Sequence, residues 1–358
     1  MIQELLKQRK LPALPDAADF ADRAAWRAHL LEILSENEFG VTPKPLSETY
    51  SFVEERVSVA GGTATEERIR LSVLTPAGMF SFPFRLLLPS AGLPCPVFLH
   101  IAFNQTKRTA VRDHGIAEHI PEMELADNGF GLATLFYEDV TSDSGARDGL
   151  ALAYPLDRED SWGTIGMWAF AASRVMDYLC TRKDIDSSRV SVSGWSRLGK
   201  TALWCAAQDE RFSLAISNQS GCSGAALQRG KVGENVRDIT SRFPFWFCRK
   251  YRSYAENEDA LPLDQHYLLA LLSPRCLFVS SAENDKWADP TSEFLCAAAS
   301  SRAWETMGEP GLVSPDEIPA PDTDLLEGKI GYRIRRGEHS LLRGEWQTFM
   351  NFRRMHNV

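Results

Sequence analysis

Three residue types in the second half of this 358-residue chain could together activate a hydroxyl. Ser196 stands at the apex of Gly194-Trp195-Ser196-Arg197-Leu198-Gly199-Lys200. An alternating Val/Ser run (189–193) precedes it and an apolar stretch (201–207) follows. A strand turning sharply into a helix over small residues pushes a serine hydroxyl out at the positive end of the helix, as a nucleophile elbow requires. The usual spelling is Gly-x-Ser-x-Gly; here the second glycine comes one residue late. The plainer reading is that Ser196 caps the helix beginning at Arg197.

A serine nucleophile needs a base, and the base needs an acid to orient it. Of seven histidines, His339 follows the last expected strand, in Gly337-Glu338-His339-Ser340. His29 and His356 fall in terminal helices, His266 begins a helix, and His100 and His114 precede the serine and read as structural. After the penultimate strand comes Glu283-Asn284-Asp285-Lys286-Trp287-Ala288-Asp289-Pro290. Asp285 is the acid expected to orient His339, Glu283 is the reserve, and Asp289 fits a helix cap. Serine, acid and histidine thus occur in chain order at three expected strand ends. The backbone N–H of Arg197 is the expected oxyanion donor, and its guanidinium could add charge there. Lys200 lies one helical turn beyond Ser196. Two cations beside a nucleophile point to an anionic or densely hydroxylated substrate; otherwise both are solvated helix charges.

These groups require an α/β scaffold. Residues 1–40 read as helical, with Trp26, Leu30, Ile33 and Leu34 at helical spacing within 22–36 and Gly40 as the stop. Segments 50–59, 65–75 and 80–88 alternate as antiparallel strands, with turns at Gly61-Gly62 and Pro76-Ala77-Gly78. Strands at 97–101 and 129–136 follow, then a long helix carrying Ile165, Trp168, Ala172, Val175, Met176 and Leu179 on one face. The serine strand and strands at 214–216, 276–279 and 330–334 come next, before a terminal helix from about Leu342. The pattern implies a mixed, mostly parallel sheet with helices on both faces, in a single domain spanning 1–358. Residues 309–328, rich in proline and acid, read as a surface excursion.

Composition narrows the partners. Hydrophobic residues make up 44%, charged residues 24%, and the net charge is -9. That balance, without a basic stripe, argues against nucleic acid. No run reaches membrane-spanning length, and the first ten residues lack a signal-peptide core, so a cytoplasmic location is expected. Seven scattered cysteines without a C-x-x-C pair suggest free buried thiols, and neither metal nor cofactor is expected.

The stretch 194–200 resembles the Gly-Cys-Ser-Arg-x-Gly-Lys signature of the glucuronoyl esterases, which are α/β-hydrolases. The resemblance runs from roughly Phe136 to Leu342. It takes in Asp160-Ser161-Trp162-Gly163, the segment 219–226, Asp264-Gln265-His266 and Asp285-Lys286-Trp287. It implies a cofactor-free serine esterase acting on 4-O-methyl-glucuronate esters of small molecules or oligosaccharides. It also implies oxyanion support by Arg197, and sugar contacts by Lys200, Glu234 and Trp287. Where many members carry a glutamate as the acid, this chain has Gln219, so that role passes to Asp285. Trp195 replaces the usual cysteine. A sugar-ester deacetylase using the same triad, or a silent carbohydrate-binding homologue, would share much of this pattern.

Overall fold

Period-two alternation becomes a ten-stranded mixed sheet in the computed structural model, which describes residues 1–104 and 117–358. In chain order the strands are β1 (Tyr50–Val59), β2 (Ala64–Thr75), β3 (Gly78–Pro89), β4 (Cys95–Ala102), β5 (Ala117–Glu118), β6 (Gly131–Phe136), β7 (Ile185–Trp195), β8 (Leu214–Asn218), β9 (Cys276–Ala282), β10 (Thr323–Leu325), β11 (Ile330–Arg335) and β12 (Ser340–Leu341). The sheet order is β1-β2-β3-β6-β4-β7-β8-β9-β11-β10, with β5 and β12 forming a separate parallel pair. The run from β6 to β11 is parallel; β1, β2 and β3 on one side and β10 on the other are antiparallel.

Alternation along the central strands sorts side chains between two cores. Val97, Leu99, Ile101, Val190 and Val192 face one layer, built largely on the helix Thr164–Thr181, the helix Arg197–Gln208 and the N-terminal helix Arg23–Leu34. Phe98, Leu132, Ile216 and Phe278 face the other, where the C-terminal helix Arg343–His356 supplies Trp346, Phe349 and Phe352. The serines of the alternating run point to this second layer. There Ser191 Oγ accepts from the buried Arg353 (3.1 Å) and Ser193 Oγ meets His100 Nδ1 (2.9 Å).

Two sequence expectations need correction. Residues 1–40 are not one helical segment. Ile2–Gln8 and Arg23–Leu34 are helices, the latter capped by Asp22, but between them residues 11–16 form no regular element and only the short 3-10 helix Ala17–Asp19 follows. Pro12 and Pro15 lie in that irregular part, and proline removes the N–H donors a continuing helix needs. Gly40 does stop the run: its φ is +84°, and a Cβ there would meet the Trp162 backbone at 2.3 Å. Within 309–328, Thr323–Leu325 forms the edge strand β10 on β11. Three residues are too few to show alternation in a proline-rich stretch. The pairing of β5 with β12 was likewise unforeseen.

Register decides what the sheet positions. Gly194 of β7 pairs with Ile101 of β4, Trp195 with Asn218 of β8, Asn218 with Ser280 of β9, and Ala282 with Arg335 of β11. The loops that leave these strands therefore open on one edge, where parallel α/β sheets hold their ligands.

Candidate active site

Ser196 has φ +57° and ψ -127°, a region that costs a non-glycine residue about 1–3 kcal/mol. The surrounding sequence enforces it. A Cβ on Gly194 would lie 2.1 Å from the Leu198 carbonyl oxygen, so only glycine admits the tight turn. Gly199, the late glycine, lets the helix approach Ser217 and Ser220; a Cβ there would sit 3.1 Å from Ser217 Oγ and 3.0 Å from Ser220 Cβ. The Ser196 N–H donates to the Asn218 carbonyl (2.9 Å). Its side chain makes no cap hydrogen bond, so it does not act as the helix cap of the plainer reading.

His339 arrives from β11 through a bend at Gly337, whose φ is +103°. Its Nδ1 lies 2.6 Å from Asp285 Oδ2, and its ring sits 4.9 Å from that of Trp195, the residue before Ser196. Asp285 is 5% exposed, and its Oδ1 accepts from the Ala288 N–H (3.2 Å), which turns the other oxygen to the histidine. Glu283 stands two positions nearer the strand end, half-buried. Asp289 caps the helix Pro290–Ser300 through the Ser292 N–H (3.2 Å), and also accepts from the Val232 N–H (2.9 Å).

Arg197 and Lys200 are not solvated helix charges. The Arg197 guanidinium lies 4.7 Å from the Trp246 ring centre, 5.1 Å from that of Phe243 and 5.6 Å from that of Phe103, and it donates to Asp143 Oδ2. Asp143 also accepts from Trp246 Nε1 (2.6 Å) and the Tyr137 hydroxyl (3.2 Å). Burial next to this carboxylate pushes the Tyr137 phenol far above its usual range. Lys200 is 3% exposed; its Nζ donates to the Ser220 carbonyl and lies 3.7 Å from Glu234. Burial lowers its ammonium pKa, and Glu234 opposes the shift. With each cation matched by a carboxylate, the site suits neutral, hydroxylated groups better than an anionic substrate.

Glu234 and Trp287 come from loops that interlock. The Glu234 N–H donates to the Trp287 carbonyl (3.0 Å), and Gly233, at φ +72°, leaves room for the Lys286 and Trp287 backbones. Trp287 is 43% exposed, with the Arg242 guanidinium 4.8 Å from its ring centre. Gln219 points to the backbone of Ser340.

Sequence reasoning missed Asp143, Tyr137, Trp246 and the role of Gln219. The one available signal was that Tyr137 and Asp143 follow a parallel strand, β6, at the loop-bearing edge. His100 is buried against Glu118 (2.9 Å), and His266 Nε2 donates to the Pro12 carbonyl (3.1 Å), both as structural groups; His114 lies outside the described residues. Six of the seven cysteines are buried, all are unpaired, and Cys180 is exposed. Among the described residues no cluster of three or more His, Cys, Asp and Glu could hold a metal, and no helix is long and apolar enough to cross a membrane.

Comparison with known proteins bears on this arrangement. Residues 72–308 match the family model described as glucuronyl esterase, fungi. A carbohydrate esterase from an unidentified prokaryote is 43% identical over 258 residues, covering 70% of this chain and 59% of that protein. The 4-O-methyl-glucuronoyl methylesterase of Podospora anserina is 28% identical over 306 residues, covering 80% and 57%. The chain thus spans less than two thirds of the length of these two relatives. A solved glucuronoyl esterase from Solibacter usitatus superposes with a TM-score of 0.84 at 32% identity, covering 96% of this chain and 97% of the other.

Proposed function

Because the chain belongs to the glucuronoyl esterase family and has its α/β-hydrolase fold, we propose that it hydrolyses 4-O-methyl-glucuronoyl or closely related uronate esters through Ser196, His339 and Asp285. The observation that carries the triad reading is the 2.6 Å contact of His339 Nδ1 with Asp285, on a ring 4.9 Å from that of Trp195, the residue before the strained turn of Ser196. In this reaction His339 Nε2 takes the Ser196 proton as Oγ attacks the ester carbonyl carbon, while Asp285 holds Nδ1–H and stabilises the imidazolium. The Arg197 N–H and guanidinium support the oxyanion. Collapse expels the alcohol, which takes the proton from His339. Water, activated by the same base, then frees the uronate from the acyl-enzyme.

The balanced charges suit this substrate. The ester is neutral and hydroxylated, whereas the product is a carboxylate. Lys200, Glu234 and Trp287 border the region that would receive the sugar ring. Unpaired buried polar groups are costly, so an acyl part lacking hydroxyls should be rejected more strongly than an altered alcohol. The test is kcat/KM for methyl or benzyl glucuronate against acetylated xylo-oligosaccharides, with Ser196→Ala and His339→Ala as controls. Preference for the uronate esters is expected, with turnover falling by about 10⁴-fold or more in each variant while the fold is kept. Good turnover of acetylated sugars alone would leave the triad and overturn the substrate. Undiminished turnover in Ser196→Ala would overturn the serine mechanism.

A further inference from the structure

Gln219 occupies a costly backbone position for a reason that the reaction itself does not state. It follows β8 at φ +51°, uncommon for a residue with a side chain, and its N–H donates to the Ser280 carbonyl at 2.7 Å. It is 1% exposed. Its amide uses both ends on one residue: Nε2 donates to the Ser340 carbonyl (2.8 Å) and Oε1 accepts from the Ser340 N–H (2.8 Å).

Ser340 directly follows His339. Its N–H belongs to the peptide plane joining the two, so gripping that N–H fixes the rotation about the His339 Cα–C bond. Asp285 meets one nitrogen of the histidine ring and Trp195 lies beside it, while on the other side of the residue Arg335 Nη2 (2.8 Å) and the Ser340 hydroxyl (3.2 Å) donate to the Glu338 carbonyl. The Ser340 carbonyl has further donors in Asn218 Nδ2 (3.2 Å) and Arg335 Nη2 (2.8 Å). We propose that Gln219 is a positioning residue for His339, acting through this two-ended amide clamp on Ser340; the assignment rests on the triad reading above.

The chemistry demands an amide. A carboxylate of the same shape can accept from the N–H but turns a lone pair towards the carbonyl. An apolar side chain leaves the buried N–H without its partner, a loss that is costly inside a protein. A displacement of the base of about 1 Å can lower turnover by about 10²-fold without weakening substrate binding.

The test compares Gln219→Glu and Gln219→Met with wild type in the full chain. It measures kcat and KM on benzyl glucuronate, the rate of Ser196 labelling by a fluorophosphonate probe, and thermal stability. Both variants should lose about 10- to 100-fold in kcat with KM within about twofold, and labelling should slow in parallel. Labelling does not depend on the sugar, so the result stands even if the natural ester is another one. Unchanged kcat and labelling, or a loss confined to KM, would overturn the assignment. So would a kcat restored in the residual folded fraction of a destabilised variant, since the clamp would then be structural only. Full turnover in Ser196→Ala would remove the triad, and the clamp's role with it.

Discussion

The turn carrying Ser196 and the bend carrying His339 adjoin through the rings of Trp195 and His339, but they are constrained from different distances along the chain. Around Ser196 the strain is imposed within a few residues: Gly194 closes on Leu198, and the N–H groups of Gly199 and Lys200 return to the Ser196 carbonyl (2.9 and 3.3 Å). Around His339, beyond the bend at Gly337 and the Arg335 contacts with Glu338 and Ser340, the restraints come from afar. Asp285 lies 54 positions away, and Gln219 grips Ser340 across 121. β12, starting at Ser340, pairs with β5 at Ala117. A local constraint survives changes in distant packing; a constraint assembled from remote loops is lost when any one of them shifts. Under the proposed triad, faults in tertiary packing should therefore reach activity through His339 rather than through Ser196.

The sharpest way to probe the remote half is Asp285→Asn. An amide leaves the shape but removes the charge that stabilises the imidazolium, and turnover should fall by about 10⁴-fold. Glu283→Gln should stay near wild type. Steady-state rates of the two variants settle the matter, and a severe Glu283→Gln with a mild Asp285→Asn would reverse the assignment within the loop.

The local half is probed by Arg197→Ala. Its guanidinium lies in an aromatic cage with Asp143, on the residue after Ser196, so in the proposed mechanism its contribution should be felt as charge develops on the carbonyl oxygen. The expected loss is roughly 10²-fold in kcat with a smaller change in KM. A change confined to KM would place Arg197 in ground-state binding, and the two regions would no longer divide the chemistry between them.

The smallest effect concerns the packing beneath the acid loop. Glu293 is fully buried, accepts from the Gly221 N–H (3.0 Å) and meets Ser281 Oγ (2.6 Å). Burial, with the nearby Asp285 charge adding to it, pushes its carboxyl up to about 8, above the ordinary 4.5. A group held neutral by the fold contributes fully below the unfolded value and loses that contribution as pH rises towards the folded one. Glu293→Gln keeps a neutral group with a donor for Ser281, so its melting temperature should gain on wild type between pH 5 and pH 8. A gap that stays constant over that range would mean that Glu293 is ionised in the fold.

Much of the architecture is legible in the chain because its signals are local. Period-two runs mark the strands, the 164–181 helix announces itself by its apolar face, and Asp289 reads correctly as a cap. Ser196, Arg197 and Lys200 share one strand–turn–helix unit, and Asp285 and His339 could be chosen by their order at successive strand ends. What the chain hides is burial of polar groups by distant partners. Lys200 looks like a surface lysine until Glu234 and Ser220 enclose it, and Asp143 is one acid among many until Tyr137, Trp246 and Arg197 converge on it. Gln219 reads as a lost carboxylate until Ser340 uses both ends of its amide. Hydrophobic periodicity records which face of an element is buried, so the sequence by itself determined the sheet, its helices and the three strand-end candidates. Hydrogen bonds between residues tens to hundreds of positions apart leave no period, and so only the tertiary structure decided how charge and geometry are set around them.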